Sequence, residues 1–172
     1  MQKIKNKIIK KFRRINLMQK FFQKGITAVE ILIVVSILGI LVLIVLPQFS
    51  KIKENQVIKN TIGDITSALH NAQSQSLASV NSSEYGVHFQ TDRVIIFTGK
   101  VFSSEAGDNK IIDIISPTSI SNVTLGGVSA GTGELYFERL SGIPSKTGTI
   151  TISTSSVSKI ITISVTGAVS VN

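Results

Sequence analysis

The stretch that decides the fold is KGITAVE, residues 24–30, which opens an apolar run that continues to Leu46. From Ile26 to Leu46 there are 21 residues and one charged side chain, that of Glu30. An α-helix rises about 1.5 Å per residue, so this run would be roughly 30 Å long and would match the hydrocarbon core of a bilayer. The run therefore predicts a helix that spans a membrane.

Glu30 is the unusual residue of this run. An acidic side chain costs on the order of 2.5–3.5 kcal/mol at the centre of a bilayer on insertion scales, and less near its ends. Two interpretations follow from the residues alone. Either Glu30 lies near the membrane surface and extends its carboxylate to water, or its carboxylate binds a partner molecule.

The residues around Gly25 resemble the processing site of type IV prepilins. A lysine precedes this glycine, Ile26 follows it, and Glu30 is the fifth residue after it. The resemblance implies that a prepilin peptidase cuts after Gly25 on the cytoplasmic side and methylates the new N-terminus at Ile26. It also implies that Glu30 serves assembly, by pairing with the N-terminal amine of an adjacent subunit.

Gly39 and Pro47 extend the resemblance. They lie 14 and 22 residues beyond Gly25, where pilins commonly carry a glycine and a proline. Both are expected to soften the helix, because glycine has a low helix propensity and proline lacks the backbone donor. Two positions depart from the pilin pattern, since Ile26 replaces the usual phenylalanine and Ala28 replaces a large apolar residue.

Charge is distributed unevenly along the 172 residues. Residues 1–24 contain nine lysines and arginines and no acid, whereas the remainder contains nine against ten aspartates and glutamates. The high pI of 9.9 therefore reflects the leader and does not indicate nucleic-acid binding. The positive-inside rule predicts that residues 1–24 stay in the cytoplasm and that residues 48–172 cross the membrane. The resemblance implies that this membrane is the bacterial inner membrane.

After Pro47, apolar and small residues recur every three or four positions, which predicts a continuing amphipathic helix. These positions are Ile58, Ile62, Ile65, Leu69, Ala72, Ser76 and Val80. The predicted domains are a basic leader at 1–25, a transmembrane helix at 26–47, its amphipathic continuation at 48–82, and a β-rich domain at 83–172.

From Glu84 onward the hydrophobic period changes to two, which is typical of strands. Residues 85–89 and 93–97 flank a short polar turn and predict a β-hairpin. The same alternation, interrupted by Gly, Pro and Asn, predicts six more strands: 110–115, 119–124, 134–138, 149–154, 159–165 and 168–171. One long helix and about eight short strands predict an α+β fold, with the helix packed on a small antiparallel β-sandwich.

This layout resembles the H-type minor pseudopilins, which carry a GspH/FimT domain. In these proteins an alanine- and serine-rich helix end, here residues 69–78, precedes a hairpin. Near their C-terminus a phenylalanine and a glycine, here Phe137 and Gly142, precede two strands and a final glycine, here Gly167. The arginine often found near the helix end is missing, since Gln73 and Ser74 occupy that region. The resemblance implies a pilin-like fold and a subunit of a type II secretion or type IV pilus filament. The implied partners are a prepilin peptidase, other pilin or pseudopilin subunits, an inner-membrane assembly platform and the lipid bilayer.

No pattern in the sequence indicates an enzyme, a cofactor or a metal. The chain has no cysteine, which excludes a disulfide and a thiol nucleophile. The glycine-rich residues 126–133 lack the Lys-Ser/Thr pair of a phosphate-binding loop and predict a flexible loop. His70 and His88 lie in no motif that supplies an orienting acid. The acidic residues between 108 and 113 match no recognised calcium loop.

Three functions stay open from the sequence: a structural filament subunit, a minor pilin that binds DNA during uptake, and an unrelated β-domain anchored by one span. DNA binding would require clustered cations, because phosphate contacts supply most of the non-specific affinity. The candidates are Arg93, Lys100, Lys110, Arg139, Lys146 and Lys159. An anchored β-domain would leave Gly25 and Glu30 without a role.

Overall fold

The structure is a computed structural model, and it describes residues 27–172. The chain divides into two compact units between Pro47 and Gln48, and each unit is described by itself. The predicted leader, the cleavage position at Gly25 and the methylation position at Ile26 lie outside the described residues.

The described elements are a long α-helix, α1 (Ala28–Leu77), a 3-10 turn at Val80–Ser82, and nine strands. The strands are β1 (Tyr85–Phe89), β2 (Arg93–Thr98), β3 (Lys110–Asp113), β4 (Ser119–Leu125), β5 (Val128–Ala130), β6 (Gly133–Phe137), β7 (Gly148–Ser153), β8 (Ser158–Ile163) and β9 (Val169–Val171).

The first unit contains the apolar part of α1. Residues Ala28–Val45 have a mean hydropathy of 3.1, and none of this segment is buried within the described structure. By length and composition alone it is able to cross a membrane, a property that membrane anchors and signal sequences share.

The second unit begins with the remainder of α1, whose predicted apolar stripe is largely confirmed. Ile65, Leu69 and Ala72 are almost completely buried. The prediction is wrong at Val80, which is 37% exposed. The helix ends at Leu77 because Ser79 adopts a left-handed conformation with φ 50°, so the helical spacing no longer applies beyond it.

The strands form two antiparallel sheets, in the orders β3-β2-β1-β6 and β5-β4-β7-β8-β9. Side chains from α1 and from both sheets form one hydrophobic core. Its fully buried members include Leu69, Phe89, Phe137, Ile150 and Ile161. The fold is therefore α+β, with the helix packed with antiparallel sheets.

Strand β2 is buried on both of its faces, which explains its unbroken apolar run at residues 94–97. Val94 and Ile96 point to the core, whereas Phe97 is covered by the segment after β2. The ring of Phe102 lies 5.8 Å from that of Phe97, edge to face, and stacks on His88 at 4.0 Å. The segment thus supplies a small second apolar layer.

All eight predicted strands are present with small shifts at their ends, and one further strand was not predicted. The predicted flexible loop at 126–133 contains β5, so that prediction is wrong. Gly126 and Gly127 have φ values of 58° and 82° and connect Leu125 directly to its partner Val128. Two consecutive residues with positive φ form the tight turn that a two-residue hairpin prefers.

Residues near the end of α1 attach the helix to the sheets. The buried Ser76 hydroxyl accepts the Tyr85 N–H at 2.9 Å, and the Ser76 carbonyl accepts the Leu140 N–H at 2.9 Å. The Gln73 amide donates to the Gly142 carbonyl at 3.0 Å. Gln73, in the region where the resembling proteins often have arginine, therefore has a structural role here.

The buried helix face generates a stability prediction. Leu69→Ala should lower the free energy of unfolding of a fragment comprising residues 48–172 by about 2–5 kcal/mol, because it removes a fully buried side chain and leaves a cavity. Urea unfolding followed by circular dichroism measures this difference. The control Val165→Ala, at a residue that is 72% exposed, should change it by less than about 0.5 kcal/mol. Equal effects of the two substitutions would contradict this packing.

Candidate functional site

The apolar surface of α1 in the first unit is the most prominent candidate interaction surface. Its large side chains are exposed around the whole helix, with Val29 and Leu32 at 67% and Leu43 at 74%. A helix that is apolar on every side is normally surrounded by lipid or by other protein. Within the described residues, nothing covers this surface.

Ser36 shows how this helix satisfies a polar side chain. Its hydroxyl donates to the Leu32 carbonyl, one turn earlier, at 2.7 Å. Such a bond within the helix leaves no hydroxyl proton unpaired in a surrounding that offers no hydrogen bonds. Ser36 is therefore compatible with an apolar environment, and Glu30 alone among the residues of Ala28–Val45 introduces a charge.

Glu30 lies in the first turn of α1 and is exposed. Its N–H approaches the Thr27 hydroxyl at 3.2 Å and the Thr27 carbonyl at 3.1 Å. Thr27 is thus the N-cap, and Thr27-x-x-Glu30 matches the capping-box sequence, in which the third helical residue is Glu or Gln. The capping-box pattern is present in the sequence, but it was missed because the apolar run was interpreted only as a membrane span.

The Glu30 carboxylate forms no hydrogen bond or ion pair with any residue between 27 and 172. Its position near the helix N-terminus is favourable, since the helix dipole stabilises negative charge there. Two roles are therefore available to the carboxylate: stabilisation of the helix start, and pairing with a group from another molecule.

Gly39 and Pro47 both lie within α1. No side chain or distant backbone atom comes within 4 Å of the position that a Cβ of Gly39 would occupy. Space around Gly39 therefore imposes no requirement for glycine within the described chain. The softening of the helix at Gly39 and Pro47 stays a prediction.

Three of the six cations considered for DNA binding already have partners in the domain. Arg93 contacts Asp92 through two hydrogen bonds of 2.8 and 3.2 Å. The hydrogen bond to Asp92 raises the pKa of Arg93, and the same bond lowers the pKa of Asp92 below its ordinary value. The carboxylate of Asp92 thus compensates part of the positive charge that Arg93 would offer to a phosphate.

Lys100 lies 3.7 Å from a carboxylate oxygen of Glu84, and Arg139 donates to the Ser82 carbonyl at 2.8 Å. These contacts fasten the loops after β2 and β6. The structure therefore gives these cations local roles and presents no reason to treat the six as one phosphate-binding surface.

The histidines and the acidic residues near β3 are also separate from one another. His70 is exposed on α1, whereas His88 is stacked under Phe102, with its Nδ1 3.4 Å from Glu134 Oε2. The Asn109 side chain donates to the Ser103 carbonyl. Among residues 27–172, no group of three or more His, Cys, Asp or Glu side chains converges as a metal site.

Comparison with known proteins assigns no family to the chain: no protein-family model, curated protein or solved structure matches it. The resemblance around Gly25 and Glu30 therefore supports a proposal about function and does not identify the protein.

The charge distribution generates a prediction about DNA. Because three of the six cations have partners within the domain, residues 48–172 should show no salt-sensitive binding to labelled duplex DNA at protein concentrations on the order of 10⁻⁵ M, within the usual range of non-specific binding. Fluorescence anisotropy at several salt concentrations measures this. Binding that strengthens at low salt and is weakened by Arg93→Glu or Lys100→Glu would contradict the prediction.

Proposed function

We propose that this chain is a structural subunit, a minor pilin or pseudopilin, of a type IV-pilus-like or type II secretion filament. The observation that carries the proposal is a helix, Ala28–Val45, that exposes apolar side chains on every side and has its only carboxylate, Glu30, in the first turn. The sequence Lys24-Gly25 immediately before this helix supplies the resemblance to prepilins.

The apolar helix serves two environments in this proposal. Before assembly it spans the inner membrane, with the basic leader in the cytoplasm and the domain on the other side. After a prepilin peptidase cuts behind Gly25, an assembly platform extracts the subunit, and the same apolar surface packs among the helices of neighbouring subunits. A helix that is apolar all round fits both lipid and the interior of a helical bundle.

Glu30 sets the position of a subunit along the filament. The amine of a neighbour's Ile26 and the Glu30 carboxylate are both charged at neutral pH, since their ordinary pKa values are about 8 and about 4.3. Such a pair, once removed from water, favours one register over others, because a shifted subunit leaves two charges unpaired among apolar side chains. The pair thus specifies alignment more than it adds stability.

The main rival is a β-domain anchored by one uncleaved span. The apolar helix is equally compatible with this rival, since its length and composition suit any single anchor. The two functions differ at Gly25, which has a role only in the filament proposal, and at Glu30, whose pairing with a second subunit belongs only to that proposal.

Processing distinguishes the filament subunit from the anchored domain. Co-expression with a prepilin peptidase should shorten the wild-type chain, and Gly25→Val should prevent this because a branched side chain obstructs the approach of the backbone to the protease. Immunoblotting with an antibody to the domain measures the change in size. A chain that stays full length beside an active peptidase, or a variant that is still cut, would contradict the proposal.

Glu30→Gln tests the proposed pairing of this carboxylate. Glutamine also fits the third helical position of the capping-box sequence, and Thr27 still accepts the N–H of residue 30, so the variant keeps this N-cap contact but lacks the charge. We expect normal membrane insertion and cleavage but failed incorporation into filaments, because breaking a buried pair costs roughly 3–5 kcal/mol. Cross-linking to filament neighbours measures incorporation.

Asp64→Asn is the matched control for this experiment, because Asp64 is an exposed carboxylate on the same helix. Its incorporation should equal that of the wild type. If Glu30→Gln also assembles at the wild-type level, the carboxylate serves only the helix start and the proposed pairing is wrong.

A further inference from the structure

The first residues of α1 in the second unit have few contacts with the domain. From residue 48 to residue 57, none of the described side chains is buried, and Ile52 is 63% exposed. Ile58, which is 2% exposed, is the first residue of this part of the helix to enter the core. The three helical turns before it therefore need another attachment if they are to stay on the domain.

Glu54 supplies that attachment. Its carboxylate accepts hydrogen bonds from three hydroxyls of the turn between β7 and β8: Thr154 at 3.3 Å, Ser155 at 3.0 Å, and Ser156. No other described side chain of residues 48–57 has a hydrogen bond or an ion pair with the sheets. Glu54 is thus the polar contact that holds this segment.

The turn also has hydrogen bonds of its own. The Thr154 N–H donates to the Val157 carbonyl at 2.8 Å, and the Val157 N–H donates to the Thr154 hydroxyl at 3.1 Å. These bonds fix the positions from which the three hydroxyls reach the helix. The site is therefore a group of neutral donors, held by the bonds of one turn, that faces one carboxylate.

Among the described residues, the charge of Glu54 is stabilised by these hydroxyls, and no cation forms an ion pair with it. The lysines that flank the two sides of the contact in the chain are Lys51, Lys53 and Lys59 on the helix and Lys159 on β8. Hydrogen bonds from Ser156 and Ser155, in that order, lower the pKa of Glu54 below its ordinary value, partial desolvation opposes them, and Thr154 adds a smaller lowering effect.

The direction of this pKa shift determines the pH dependence. A carboxylate whose pKa is lower in the folded protein adds stability that is fully present above its ordinary pKa and is lost as pH falls through the folded value. Protonation weakens the contact because a carboxylic acid is a poorer acceptor and has a proton of its own to donate. The contact is therefore intact at neutral pH and lost in acid.

We propose that Glu54 and residues 154–156 form a pH-sensitive latch that attaches residues 48–57 of α1 to the second sheet and releases them when Glu54 is protonated. The core that begins at Ile58 contains no part of the latch, so release leaves the rest of the domain folded. The latch is a property of the second unit and does not depend on the filament proposal.

Hydrogen–deuterium exchange of the full chain in detergent micelles tests the latch. At neutral pH, Glu54→Gln should reduce the protection factors of the amides in residues 50–57 severalfold, while amides of residues 65–72 keep theirs. As pH falls below the ordinary carboxyl range, wild-type protection in residues 50–57 should decrease to the level of the variant. Protection factors correct for the slower chemical exchange in acid.

Two further variants complete the test. Asp64→Asn removes an exposed carboxylate from the same helix and should leave residues 50–57 protected. The double substitution Ser155→Ala and Ser156→Ala keeps Glu54 and should reproduce the loss seen with Glu54→Gln, since it removes two of the donors. Wild-type protection in the double variant or in Glu54→Gln would overturn the proposal, and so would an acid-induced loss that is the same with glutamine at position 54.

Discussion

The domain depends on one buried surface, the face of α1 between Ile58 and Ser76. Its large side chains Ile58, Ile65 and Leu69 and its small ones Ala68, Ala72 and Ser76 are all buried. Both sheets contribute side chains to the core that contains this face. Removal of apolar area from water at this surface is the main term that stabilises such a small domain.

The two units use the same helix in opposite ways. In the second unit one face of α1 is buried and the other meets solvent, which is the usual arrangement on a soluble domain. In the first unit every face of Ala28–Val45 is apolar and exposed, so this segment needs an apolar surrounding that the described chain does not supply. The proposed filament meets that need first with lipid and then with other subunits.

Periodicity predicted the α+β fold because the helix buries a side chain every three or four residues, whereas a strand buries every second one. The change of period near Glu84 marked the boundary, and each predicted strand had an apolar face that enters the core. The helix end was not predictable in this way, since it depends on Ser79 in a left-handed conformation that serine seldom adopts. Strand β5 was missed because its two turn glycines were interpreted as flexibility, although Gly-Gly between strands is a known hairpin signal.

The candidate sites differ in the same way. Gly25 and Glu30 were predicted from spacing within a few residues and stay predictions, whereas the N-cap Thr27 could have been predicted from the capping-box pattern. The contact between Glu54 and Ser155 joins residues 101 positions apart in the chain, so no local pattern could reveal it. Its partners converge only because β7 and β8 place their turn beside the helix.

The central claim is that this chain is processed as a prepilin before its apolar helix enters a filament. Mass spectrometry of the N-terminal peptide of the protein recovered from cells that contain a prepilin peptidase tests the claim most directly. The account predicts a mature chain that begins at a methylated Ile26. A chain that begins beyond Pro47 would indicate cleavage of an ordinary signal sequence, and an intact N-terminus would indicate a permanent anchor; either result would contradict the account.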